Sequence, residues 1–204
     1  MNSRLAVTNV WSKMNDDLAE RISFRDDGIE FHDYPYPPAS VYPSGVIGFD
    51  AIREVDPDAA PPEIRTVRGE ILFAPAALKD HLRHMAAQHS IPCVKRIDVW
   101  DLILEPFIDT EFSQEHQERT FTILEESGIS REECLRIRAS VAEAMYAYNI
   151  DSGLWDWCHL GLSDVLDALQ GKLSGKRHRL SPENFDAFYW RAMKMARQGA
   201  VINI

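Results

Sequence analysis

The sequence predicts an α+β protein: a small, mostly antiparallel N-terminal β-sheet capped by a helix, followed by an all-α bundle of about five helices. Three observations predict it. Short alternating apolar runs broken by turn residues fill the chain up to Phe73, apolar spacings of three and four take over from Pro75, and the 204 residues carry an ordinary globular mix of 45% hydrophobic and 26% charged residues. The expected division is a strand-rich part with its capping helix over 1–92 and a helical part over 93–204, with one continuous domain as the alternative.

Val10 to Ala19 reads as a short lead-in helix of low apolar content. From Arg21, Ile22 and Phe24 alternate with polar residues, Asp26-Asp27-Gly28 supplies a turn, and Ile29 and Phe31 resume the alternation, which is a β-hairpin pattern. Tyr34 to Gly45 is too rich in proline for a helix or a central strand, because proline removes backbone donors and fixes φ. Val46 to Val55 returns to strand character, and Glu63 to Phe73 reads as two strands meeting near Arg68-Gly69. Four or five short strands with such brief links imply antiparallel pairing.

Leu78, Leu82 and Met85 give the stretch Ala76 to His89 one apolar face, suited to covering a sheet. Asp98 to Phe107 is apolar nearly all round and is expected to be the most buried helix, bent or ended near Pro106. A helix over Ser113 to Ser127 is stopped by Gly128. Ser130-Arg131-Glu132-Glu133 is a capping-box pattern opening a helix to about Tyr148. A partner helix from about Asp151, with Trp155, Cys158, Leu162, Val165 and Leu169 on one face, is expected to pack antiparallel to it across a turn at Asn149 to Gly153. Ser181-Pro182 opens the last helix, with Phe185, Phe188, Tyr189, Ala192 and Met195 inward. The order of a short-stranded sheet and a following helix resembles the pleckstrin-homology-like arrangement over residues 20 to 90, without a motif specific to that family.

Charge is unevenly placed within a net of −10. From Asp98 to Glu133 eleven acids face two arginines, a balance of −9, whereas from Lys172 to Arg197 seven bases face two acids, a balance of +5. These segments either neutralise one another or each meets an outside partner. The overall charge opposes nucleic acid, with Lys176 to Arg179 as the one basic run that could touch phosphate. No apolar run reaches membrane-spanning length, the first 21 residues lack the order of a secretory signal, and three spaced cysteines do not form a disulfide framework, so the expected setting is cytoplasmic.

The leading candidate site is the acidic stripe Asp98, Asp101 and Glu105, continued by Asp109 if the helix survives Pro106. Carboxylates three and four apart share a helix face, where they can accept arginines from a partner, bind a hard cation, or simply be solvated or paired internally. The tyrosine and proline loop, with Tyr34, Tyr36 and Tyr42, either forms a recognition surface or lies flat on its own sheet. His81, His84, His89 and Cys93 lack zinc-site spacing and read as surface histidines with a core cysteine. Asp156 and His159 form a single Asp-x-x-His with no second copy for a two-iron bundle. Gly171 to Lys176 lacks the phosphate-loop spacing, and no nucleophile stands in a recognisable frame.

The sequence therefore favours a non-enzymatic protein-binding module with no cofactor, an acidic inhibitor or immunity-type protein covering a basic site on its target. The alternative is a metal-assisted hydrolase with Asp98, Asp101 and Glu105 as ligands and His159 or His116 as proton carrier. A third reading is a structural subunit that self-associates into a homo-oligomer through the tyrosine loop.

Overall fold

A computed structural model describes residues 21–108, 112–151 and 159–202, which form six strands and six α-helices in an α+β arrangement. The chain divides between Lys95 and Arg96 into two compact units. None of the described helices is long and apolar enough to cross a membrane. The lead-in Val10 to Ala19 lies outside the described residues.

The first unit holds two three-stranded antiparallel sheets. β1 (Ile22–Phe24), β2 (Gly28–Phe31) and β3 (Gly45–Gly48) form one, in that order, with Ile22 opposite Phe31 and Ile29 opposite Ile47. β4 (Ile52–Asp56), β5 (Glu63–Thr66) and β6 (Ile71–Phe73) form the other. The expected single strand over Val46 to Val55 is thus two strands in different sheets. A 3-10 turn at Phe49–Ala51 separates them, so the alternating pattern continues across a break that periodicity alone does not register. Val67, grouped by its apolar character with the strands, is exposed at the β5–β6 turn.

Buried Phe31, Tyr34 and Tyr36 and half-buried Phe73 make a chain of edge-to-face aromatic contacts with centroids 5.4 to 6.0 Å apart. That geometry sets the positive edge of one ring against the negative face of the next. α1 (Lys79–Gln88) buries Leu82, Met85 and Ala86, the face its spacing predicts, and the segment after it pairs with β4 through Val55–Cys93.

The second unit is helical: α2 (Val99–Leu104), α3 (Gln114–Glu126), α4 (Arg131–Tyr146), α5 (Leu162–Leu169) and α6 (Pro182–Ala196). Side chains cap the starts of four of them: Asp98, Ser113, Ser130 and Ser181 each accept from a backbone N–H in the first turn. Such a cap is worth about 1 kcal/mol. α3 ends where Gly128 takes φ +82° and the amides of Gly128 and Ile129 close back on Glu125 and Leu124.

α2 ends as expected at Pro106, passing into a 3-10 turn over Glu105–Phe107. Its last carbonyls are held by Arg138 on α4, whose guanidinium donates to Leu102 and Ile103 at 3.0 and 2.9 Å. Trp100, 1% exposed, donates its indole N–H to the Ala192 carbonyl of α6 at 3.2 Å.

Two expectations around the α4–α5 pair are corrected. α4 does not stop at a tight turn but widens into a π-helical turn over Ala147–Asp151, and the next helix among the described residues starts at Leu162 after an extended Gly161. Residues 152–158, which include Trp155 and Cys158 of the expected face and Asp156 of the Asp-x-x-His pair, lie outside the described residues, while Leu162, Val165 and Leu169 are buried as the spacing requires. In α6 all five residues assigned inward, Phe185, Phe188, Tyr189, Ala192 and Met195, are buried.

Candidate functional site

The acidic stripe begins at the start of α2, and each carboxylate on it meets a particular partner. Asp98 is the helix cap: its Oδ1 accepts from the amides of Trp100 and Asp101 at 2.9 and 3.2 Å. One turn on, Asp101 Oδ1 lies 2.9 Å from Nδ1 of His159, whose Nε2 is 3.6 Å from Asp98 Oδ2. The imidazole is held between two carboxylates, and its buried Nε2 has no partner within hydrogen-bonding distance.

Glu105 has turned inward. Its side chain is 12% exposed and accepts from the Thr120 hydroxyl at 2.9 Å and from His116 Nε2 at 3.0 Å. Because an ionised carboxylate only accepts, the ring proton in that pair belongs to Nε2. Asp109, the fourth member of the stripe, lies outside the described residues.

Two residues that spacing did not single out complete the cluster. Asp164, in the first turn of α5, accepts from the Gly161 amide at 2.8 Å and from the Tyr148 hydroxyl at 3.0 Å. The reach-back from Asp164 to the residue before the helix is the carboxylate half of a capping box, and a Gly-x-x-Asp at the start of an apolar run is a signal that could have marked it. Tyr148 looked like an ordinary apolar position of α4.

Protonation follows from these neighbours. The hydrogen bond to Asp101 raises the His159 imidazole to about 9, with the charges of Asp101, Asp98 and Asp164 adding to it and desolvation opposing. At neutral pH the ring is therefore an imidazolium that donates. Desolvation pushes the Asp98 and Asp164 carboxyls above their ordinary value, against the amides each accepts from and the facing imidazolium. Burial and the nearby carboxylates of Asp164 and Asp167 hold the Tyr148 phenol well above the usual tyrosine range.

Of the loop tyrosines, Tyr34 and Tyr36 are buried, and only Tyr42, 44% exposed, faces solvent. Tyr34 accepts from the Phe73 amide at 3.1 Å, and Ser40 binds both oxygens of buried Glu70 through its amide and hydroxyl at 2.9 and 2.5 Å. The loop is thus pinned to the β5–β6 hairpin. His81 stacks on Phe24 and His89 on Phe49, so these histidines address separate rings, and among the described residues no group of three His, Cys, Asp or Glu is placed to hold a metal ion.

What remains on the acidic segment is its outer face. Glu115 and Glu132 side chains are 82% and 85% exposed, each loosely paired along its own helix with Arg119 and Arg136. Glu118 grips Arg131 through both guanidinium nitrogens at 2.9 Å, tying α3 to α4. Glu125 and Glu126, exposed beside the Gly128 turn, have no ion-pair partner among the described residues. No protein-family model, curated protein or solved structure matches the chain.

Proposed function

We propose that the protein is a non-catalytic binding module whose acidic α3–α4 corner docks a basic surface on a protein partner, as an inhibitor or immunity-type protein does. The observation that carries this reading is the contrast between the two halves of the acidic segment. Asp98, Asp101 and Glu105 are engaged by His159, His116 and Thr120. Glu125, Glu126 and Glu132 instead project into solvent from one corner. Surface carboxylates of one sign, here two without an ion pair among the described residues and Glu132 only loosely paired with Arg136, steer a cationic partner and raise its association rate.

The alternative, a metal-assisted hydrolase, draws on the meeting of Asp98, Asp101 and His159. A metal ligand or general base needs a neutral imidazole nitrogen, and the two carboxylates around His159 favour the charged ring. That counts for the binding reading.

Zero-length carbodiimide cross-linking in native lysate, followed by peptide mapping, tests it, since the reagent joins carboxylates to lysines in contact. The expected result is a single partner joined through Glu125, Glu126 or Glu132, whose association rate at low salt falls about tenfold in the triple charge-reversal variant Glu125→Lys, Glu126→Lys, Glu132→Lys. An unchanged rate, or links confined to other carboxylates, overturns the assignment.

A further inference from the structure

We propose that the groove between α4, α5 and α6 binds a small monocarboxylate with an apolar body. The groove has a volume of about 340 Å³ and is lined by Val141, Leu169, Leu180, Ala187 and Phe188, with Ser140, Asn184 and Arg191 as its polar residues. Val141, Leu169 and Phe188 are buried and form an apolar floor. Asn184, Ala187, Phe188 and Arg191 follow one another at three, one and three residues, so a single face of α6 supplies the floor and both polar ends of that wall.

Two of the three polar groups, Arg191 and Asn184, can donate to an anion. Arg191 lies 5.6 Å from the centroid of the Phe188 ring, and among the described residues it has no carboxylate partner. The Asn184 carboxamide makes no hydrogen bond there either, since it is the backbone amide that binds Ser181. Ser140 donates its hydroxyl to the Ile137 carbonyl at 2.8 Å, which leaves its oxygen as an acceptor only. A guanidinium with two free parallel N–H groups matches the two oxygens of a carboxylate, and the carboxamide adds a donor beside it.

Charge and size narrow the class. The segment from Lys172 to Arg197, which contains Arg191, carries +5 within a chain of −10, so this is where an anion is least opposed. A single arginine suits one negative charge better than a phosphate's two, and the apolar floor rewards a hydrocarbon body rather than a sugar. At about 30 Å³ per water-sized group the volume takes roughly ten non-hydrogen atoms, the size of an eight-carbon fatty acid or a substituted aromatic acid.

Titration of the ¹⁵N-labelled full chain with sodium octanoate, followed by amide chemical shifts, tests the assignment. Saturable shifts at Ser140, Ala187 and Arg191 are expected, with affinity weakened about tenfold by Arg191→Gln, and less by Arg191→Lys. Octan-1-ol, which has the same body without the charge, is expected to bind about tenfold more weakly than octanoate. Arg191 and Ala187 are exposed, so neither Arg191→Gln nor Ala187→Trp threatens the fold, and the indole of the latter fills the groove. Non-saturable or scattered shifts, or an affinity indifferent to Arg191→Gln or to Ala187→Trp, overturns the proposal.

Discussion

Replacing His159 with asparagine removes the cation held between Asp98 and Asp101, and the consequence depends on pH in a direction the geometry fixes. The imidazole moves from its ordinary 6.5 to about 9 in the folded protein. A rise of that size corresponds to about 3 kcal/mol of preference for the charged ring at about 1.4 kcal/mol per pH unit. His159 and Asp101 side chains are each 37% exposed, so solvent screening reduces the usable part to about 1 kcal/mol. Because the folded value is raised, this stabilisation is complete below about pH 6.5 and is lost as pH climbs through 9. Urea denaturation followed by tryptophan fluorescence reports chiefly on the helical unit, since four of the five tryptophans lie beyond Arg96. The wild-type advantage over His159→Asn is expected to shrink by about 1 kcal/mol between pH 6 and pH 9.5, while the ring's own carbon-bound proton titrates near 9 by NMR. Parallel pH profiles for the two proteins, or a ring that titrates at 6.5, would refute the clamp.

Three further substitutions address the frame around this cluster. Trp100→Ala empties a fully buried site and removes the indole donor to the Ala192 carbonyl, at an expected cost of about 3–5 kcal/mol by denaturation. Tyr148→Phe takes the hydroxyl from buried Asp164, which should lower stability by about 1–3 kcal/mol with little change in circular dichroism. Gly28→Ala would drive a methyl into the Ile47 carbonyl across the β2–β3 pair, and a loss of about 1–3 kcal/mol is expected, read as earlier hydrogen exchange at Ile29 and Ile47.

Helices that carry their own start signals were legible before any coordinate. Ser130 and Ser181-Pro182 mark α4 and α6 because a capping hydroxyl and a first-turn proline act within four residues, and the faces of those helices follow from spacing alone. The Phe49–Ala51 break was not legible, since strand alternation carries on through it. The meeting of Asp101 with His159, 58 positions apart, entered the sequence reading only as part of the metal-site alternative; periodicity says which way a side chain points along its helix, and the pairing itself depends on what arrives from elsewhere. Glu105 shows the same limit. It sits in register with Asp98 and Asp101, yet α3 brings Thr120 and His116 over it and takes it out of the outward row. The tyrosine loop offered two readings by composition, and the pairing of Ser40 with buried Glu70 is a contact between a loop and a hairpin turn 30 residues away.

The widened turn at Ala147–Asp151 lets two successive polar residues serve different masters. Tyr148 reaches Asp164, while Asn149, fully buried, gives its amide to the Phe107 carbonyl at 2.7 Å. Regular winding sets neighbours about 100° apart on a helix, and closing the backbone at the fifth residue instead of the fourth brings them nearer to one direction. Such a turn accommodates one extra residue without disturbing the winding of α4 that precedes it. A chain shortened by one residue within it would recover an even coil and swing one of these two side chains away from its mate, so the length of this stretch, more than its composition, is what the interior depends on.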